Sequence, residues 1–187
     1  MLIVIEGLDG CGKGTQIELL KQKFPELVVF KYPTRKFSIL NDYLEKRIEL
    51  DRKALFLLFL ADIAEEQKKI AELLKQGKIV LLDRYVFSTI SYEFDAFTYE
   101  QAKRLVESAK FLKPDKVILL DIDGKTSHER KSKQKQLDRY EENVKYLEEV
   151  RGHFLNLAND KLLCKNWIKI DASKSIEIVQ KQLLELF

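Results

Sequence analysis

EGLDGCGKGTQ, residues 6–16, holds four of the chain's seven glycines within eight residues, at Gly7, Gly10, Gly12 and Gly14. The spacing G-x-x-x-x-G-K runs from Gly7 through Leu8, Asp9, Gly10, Cys11 and Gly12 to Lys13. It follows the apolar run LIVI and opens a helical pattern, the context in which this spacing reads as a phosphate-binding loop. Glycine lets successive N–H groups turn toward one anion. The helix N-terminus adds partial positive charge, and Lys13 reaches the β and γ phosphates as a point charge. Residues 7–15 are thus the expected ATP-binding segment. The alternative is a glycine-rich turn without a ligand, which the agreement of strand, spacing, lysine and helix disfavours. Gly14 stands where such loops usually place the hydroxyl that holds Mg²⁺. The first hydroxyl here is Thr15.

Working outward, LIVIE (2–6), LVVFKY (27–32), KIVLLD (78–83), KVILLDI (116–122) and WIKID (167–171) read as strands. Their nearly continuous apolar character suits a parallel sheet covered on both faces. Helical patterns occupy 13–23, 36–48, 51–76, 98–112, 138–159 and 175–186, with Thr98 and Gln101 forming a capping box and Gly77 closing the 51–76 helix. Alternation of the two element types predicts a doubly wound α/β fold; with the phosphate-binding loop, the expected fold is a P-loop NTPase sandwich of three layers, with a five-stranded parallel sheet. Around Ala54 to Ala61 the 51–76 helix is apolar on every side, so both faces should be covered. A second copy of the chain covering the outer face gives a homodimer through this helix; burial within one chain is the alternative.

The 187 residues fit one domain, 1–187. Net charge is +3, with lysines dispersed along the chain, which speaks against a nucleic-acid partner. The longest apolar run, ALFLLFLA, is too short for a membrane span. Cys11 and Cys164 show no metal spacing, and a reducing, cytoplasmic setting follows. His128 and His153 fall among charged residues on helices and read as surface groups.

A loop alone specifies only a nucleoside triphosphate. LLDRYVFSTISYE (81–93) adds a strand ending in Asp83–Arg84–Tyr85, at the edge where open α/β sheets place ligands. Asp83 can orient Mg²⁺ through water, and Arg84 can clamp a phosphate bidentately; a strand-end ion pair is the plain alternative. Asp9, inside the loop, can accept from a sugar hydroxyl or face solvent.

The GKGT loop resembles that of the adenylate kinases, and that likeness implies Mg²⁺ held largely by phosphates and water, helped by Thr15. The resemblance becomes specific with EGLDGCGKGTQ, YPTR (32–35), LLF and its helix (57–67), DRYVFS (83–88), LDRYEENVKYLEEVRGHFLNLA (137–158) and IDASKSIEIV (170–179). Together these segments resemble the thymidylate kinase family over nearly the whole chain. The resemblance implies transfer of the ATP γ-phosphate to dTMP. Asp9 would bind the deoxyribose 3′-hydroxyl; Arg35 and Arg84 would hold the acceptor phosphate. Phe59 would stack on the base, with Phe56 its nearest rival. Tyr92 would lie by the sugar edge, Tyr32, Pro33 and Ser88 would line the acceptor pocket, and Asp83 would serve the metal.

A lid is expected at about 126–140, where RKSKQKQLDR concentrates Arg130, Lys131, Lys133, Lys135 and Arg139. Phosphoryl transfer needs positioned charge more than covalent chemistry. Some family members carry a catalytic arginine directly after the loop aspartate. That position is Gly10 here, so the pattern resembles the type in which lid arginines act, and Arg130 and Arg139 join Lys13 and Arg84 as catalytic candidates. One position departs from the family. The arginine frequent four residues after the stacking phenylalanine is Ile63, flanked by Asp62 and Glu66, and Glu93 stands where glutamine is frequent. Another donor then reads the base, or the acceptor is dUMP or a different pyrimidine monophosphate. A deoxynucleoside kinase and a regulatory NTP-binding switch are the remaining readings.

Overall fold

The computed structural model describes residues 1–133 and 143–187. Five strands, β1 (Leu2–Glu6), β2 (Val28–Lys31), β3 (Val80–Asp83), β4 (Lys116–Asp121) and β5 (Trp167–Asp171), form one parallel sheet in the order β2-β3-β1-β4-β5. All five lie inside the segments read from the sequence. The continuous apolar runs match their positions: β1 and β3 are buried along their whole length, whereas the edge strands β2 and β5 are mostly half-covered or exposed.

Helix α1 (Lys13–Lys23) follows β1; α2 (Ser38–Leu44), α3 (Arg52–Glu65) and α4 (Gln67–Lys75) lead from β2 to β3. α5 (Val86–Tyr92) and α6 (Tyr99–Ser108) lead to β4, α7 (Gly124–Ser132) and α8 (Val144–Asp160) to β5, and α9 (Ile176–Leu184) follows β5. The capping box at Thr98 and Gln101 is present, and Gly77 ends α4 at a φ of 76°.

The single helix expected over 51–76 is two helices, broken at Glu66. There Glu66 N reaches Ile63 O at 3.4 Å, a tighter turn than an α-helix makes. The Gln67 side chain straddles the break. Its Nε2 donates to Ile63 O at 3.2 Å, and its Oε1 accepts from Tyr85 Oη and Leu112 N, both at 2.9 Å. In α3, Leu55, Phe56, Leu60 and Ile63 face inward, while Leu57 is 49% exposed on the opposite side.

The topology fixes where a ligand can sit. β1 has β3 on one side and β4 on the other, so the connections diverge at its carboxyl end, a switch point of the kind that forms a crevice. Ile5 pairs with Asp83 in register. The glycine loop leaving β1 and the Arg84 turn leaving β3 therefore emerge side by side.

Candidate active site

Backbone conformation explains the glycines of the loop. Gly7 has a φ of 141°, and a Cβ there would collide with the Leu120 carbonyl oxygen. Gly10 has a φ of 77°, and a Cβ would lie 3.0 Å from Ser127 O and 3.3 Å from Arg130 Cβ. Glycine takes both conformations without strain; a side chain has no room at position 7, and at position 10 its neighbours would have to give way. The loop closes around Lys13, whose buried ammonium donates to Gly7 O at 2.8 Å and Leu8 O at 3.0 Å. Leu8 and Cys11 point into the core, while Gly14 and Thr15 are exposed on the first turn of α1. Gly12 precedes that helix without a side-chain cap, leaving the helix-end N–H groups to a ligand.

Beside the loop lies a cleft of about 530 Å³. Asp9, Tyr32, Pro33, Arg35, Phe59, Arg84, Ser88 and Tyr92, all the expected acceptor residues, line it. Arg84 Nη2 donates to Asp9 Oδ1 at 2.6 Å, and Nη1 donates to Ser88 Oγ at 3.1 Å. The guanidinium carbon also stands 5.0 Å from the centre of the Tyr92 ring. Tyr92 Oη donates to Asp9 Oδ2 at 3.1 Å and accepts from Asp9 N at 3.2 Å. Burial opposes ionisation of Asp9, but Arg84 and Lys13 outweigh it and hold the carboxyl well below the usual range. The strand-end cation is thus paired with the loop aspartate. Asp83 instead has Lys31 Nζ 3.6 Å away.

Arg84 and Arg35 both have left-handed backbones, with φ of 71° and 64°. Such conformations cost energy in non-glycine residues and gather at functional sites. Here they bring two guanidinium-bearing side chains to the same cleft. Arg35 is exposed, with Nη1 3.5 Å from Asn41 Oδ1.

A thymidylate kinase family description matches residues 5–183. The probable thymidylate kinase of Methanocaldococcus jannaschii is 36% identical, over 98% of this chain and 94% of its own. The thymidylate kinase of Schizosaccharomyces pombe is 34% identical, over 99% and 90%. A solved thymidylate kinase structure from Candida albicans superposes with a TM-score of 0.80 at 29% identity, covering 99% of this chain and 89% of that one. The chain belongs to the thymidylate kinase family. It is an ATP-dependent nucleoside monophosphate kinase.

Against the thymidylate kinase pattern, the cleft separates Phe59 from its rival. Phe56 is fully buried, edge-on to Phe97 at 5.1 Å, whereas Phe59 is half-covered and lines the cleft. Ile63 is buried in the cleft wall. Asp62 accepts from Thr34 N at 2.7 Å and from the Thr34 hydroxyl, holding the YPTR turn against α3. Lys36 pairs with Glu66, and Arg52 Nη1 reaches Glu93 at 3.2 Å. The carboxylates around Ile63 thus have cationic or hydroxyl partners of their own. Thr89, which the sequence reading passed over, also lines the cleft. It follows Ser88 on α5, a helix absent from those expected from the sequence.

The lid expected of a thymidylate kinase is described only at its start. Arg139 lies outside the described residues. Arg130 is turned away from the cleft: Nη1 donates to Ala172 O at 3.0 Å and Gly10 O at 3.3 Å, and Nη2 to Ser173 O at 3.4 Å. It joins the glycine loop to the turn after β5. Lys131, its neighbour, lines the cleft. Ser127 Oγ donates to Asp9 O at 2.6 Å, a second tie between α7 and the loop. His153 is a correction. It is half-buried and stacks on Phe94 at 4.9 Å, and burial lowers its pKa.

Proposed function

We propose that this protein transfers the γ-phosphate of ATP to dTMP, giving dTDP and ADP. The observation that carries it is the convergence of Asp9, Arg84, Tyr92 and Phe59 on one cleft beside a lysine-bearing phosphate loop. The triphosphate occupies residues 7–15, and Lys13 leaves the loop carbonyls for the β and γ phosphates. Arg84 and Arg35 grip the acceptor phosphate, Asp9 takes the 3′-hydroxyl, Phe59 covers the base, and Tyr92 fills the space beside the sugar. An acceptor phosphate oxygen forms a bond to the γ-phosphorus in line as the bond to the bridging oxygen breaks, and ADP leaves with that electron pair. Lys13 and the basic residues of the lid offset the charge that moves.

The residues present fit Mg²⁺. Asp83 is 5% exposed at the carboxyl end of β3, and its buried Oδ1 makes no hydrogen bond among the described residues, which suits a carboxylate holding metal-bound water. Thr15 offers a hydroxyl on the first turn of α1. Among the described residues no cluster of three or more His, Cys, Asp or Glu could hold a metal. When bound, Mg²⁺ neutralises charge on the β and γ oxygens.

The direct test is ADP release with Mg–ATP and a panel of dTMP, dUMP, dCMP, UMP, AMP, thymidine and no acceptor. Turnover is expected only with a monophosphate, and fastest with dTMP. Turnover without acceptor would replace this reading with an NTP-hydrolysing switch, and turnover with thymidine would indicate a nucleoside kinase.

We also propose a homodimer through the outer face of α3. Ala54, Leu57, Ala61 and Ala64 recur there at helical spacing and are all exposed in the single chain. Leu57→Asp is expected to convert a dimer to a monomer at micromolar concentration in analytical ultracentrifugation. A wild-type monomer would rule the interface out. Among the described residues no helix is long and apolar enough to cross a membrane, and free thiols at Cys11 and Cys164 suit a cytoplasmic setting.

A further inference from the structure

Glu6 ends β1 fully buried, directly before the glycine loop, and none of the roles assigned above uses it. Its carboxylate accepts three hydrogen bonds from the turn that carries Arg84. Tyr85 N donates to Oε1 at 2.8 Å, Ser88 N to Oε1 at 3.2 Å, and Ser88 Oγ to Oε2 at 2.6 Å. Tyr85 and Ser88 bracket the start of α5, which has no cap from its own N-cap side chain. Glu6 supplies that cap from the neighbouring strand.

The Ser88 bond has a consequence for hydrogen-bond direction. A serine hydroxyl has one proton. With that proton given to Glu6, the Ser88 oxygen offers only lone pairs to the cleft, and Arg84 Nη1 donates to it at 3.1 Å. The other end of the same guanidinium is held by Asp9 at 2.6 Å. The order Glu6–Ser88–Arg84–Asp9 is therefore a continuous chain of acceptors and donors. We infer that Glu6 is a positioning residue: it fixes Ser88 as an acceptor and thereby aims Arg84 at the acceptor phosphate. Ser88 then orients the clamp and has no proton left to donate to that phosphate.

This inference rests on the reading of Arg84 as a phosphate clamp. Burial pushes the Glu6 carboxyl up to about 7, against the pull of the Ser88 hydroxyl, Arg84, Lys13 and Tyr85 N–H. Among the described residues, Arg84 from the β3–α5 turn and Lys13 from the head of α1 are the charged groups that act most strongly on it. Its register partner on β4 is Leu119. Protonated Glu6 would bring its own proton to Ser88 and turn the serine hydroxyl outward, as glutamine would at the same position. Losing the Glu6 charge also reduces repulsion of an incoming phosphate, so the sign of the effect separates aiming from bulk electrostatics.

The experiment is calorimetric titration of dTMP and of thymidine into wild type, Glu6→Gln, Ser88→Ala and the double variant, without ATP. At pH 8, each single change is expected to weaken dTMP binding about three- to tenfold, the worth of one hydrogen bond. Thymidine, which meets this hydrogen-bonded chain only at Asp9, should lose clearly less than dTMP, and the double variant should be no weaker than the worse single one. From pH 8 to pH 6 the ratio of wild-type to Glu6→Gln affinity should shrink toward one, a ratio in which the phosphate's own titration cancels. Unchanged or tighter dTMP binding in Glu6→Gln, an equal loss for thymidine, or additive losses would overturn the inference. If Glu6→Gln does not fold, the ratio of wild type to Ser88→Ala carries the test, and a ratio independent of pH overturns it. Failure of wild type to bind dTMP removes the acceptor reading itself, and this inference with it.

Discussion

Lys13→Ala is expected to lower kcat for phosphoryl transfer by about 10³-fold or more, the scale on which single cations act in this chemistry. The geometry explains why so much rests on one side chain. Lys13 is 7% exposed and spans two loop carbonyls, Gly7 O and Leu8 O. It thus stays close to the loop it must leave when phosphate arrives, and its charge is already shielded from bulk water. A cation in such surroundings acts more strongly on nearby phosphate than one in solvent. Alanine removes the charge and leaves Gly7 O and Leu8 O without this donor. The remaining N–H groups of the loop still favour a triphosphate, so the loss should fall on kcat more than on ATP affinity. ADP-release kinetics, ATP titration and a thermal melt on one preparation check all three. A rate within tenfold of wild type, in a folded protein, would refute the phosphate-loop assignment.

Arg84→Ala is the second large effect, expected as a fall of roughly 10²–10³-fold in kcat/KM for dTMP, in line with truncating one partner of a buried charge pair. Two losses combine. On the proposed function the acceptor phosphate loses its fork, and Asp9 loses the guanidinium 2.6 Å away. Arg84→Lys keeps the charge but has no fork to reach Asp9 and Ser88 together, so it should recover only part of the activity. A readout independent of turnover follows from linkage. In wild type the Asp9 carboxyl is held well below its ordinary value, so its ion pair stabilises the fold above the ordinary carboxylate range and is lost as pH falls below it. Without Arg84 that depression shrinks, and Lys13 is left as the main cation opposing burial at Asp9. The acid limb of Arg84→Ala should therefore begin at higher pH than that of wild type, measured by circular dichroism from pH 7 to pH 3. Identical acid limbs would mean that the pair contributes nothing in solution.

The sequence displayed these two residues plainly because glycine spacing and a strand-terminal Asp-Arg pair are local signals. All five strands were equally open to reading, since a parallel sheet writes itself as uninterrupted apolar runs. Other features depend on distance in the chain. α5, VFSTISY, is rich in β-branched residues and has no N-cap of its own; Glu6, 79 residues before Tyr85, does that work. The break at Glu66 is maintained by Gln67 bridging to Tyr85 and Leu112, contacts invisible until the sheet has formed. Arg130 reads as one of several lid cations, and only the fold shows it bound to carbonyls of the loop and of the turn after β5. Phe56 and Phe59 sit three positions apart on one helix, and the cleft, rather than spacing, separates core from site.

Gly10 and α7 carry a lesson for engineering. The volume a side chain at position 10 would enter is bordered by Ser127 O at 3.0 Å, Arg130 Cβ at 3.3 Å and Lys131 Cγ at 3.3 Å. An arginine grafted into the loop would have to displace α7, and with it the hydroxyl bond from Ser127 to the backbone of Asp9. Loop cation and inward-packed helix are rival tenants of one space. Moving the charge from lid to loop in this scaffold therefore calls for a rebuilt segment, and a one-residue exchange at position 10 would unsettle Asp9 before it supplied any useful cation.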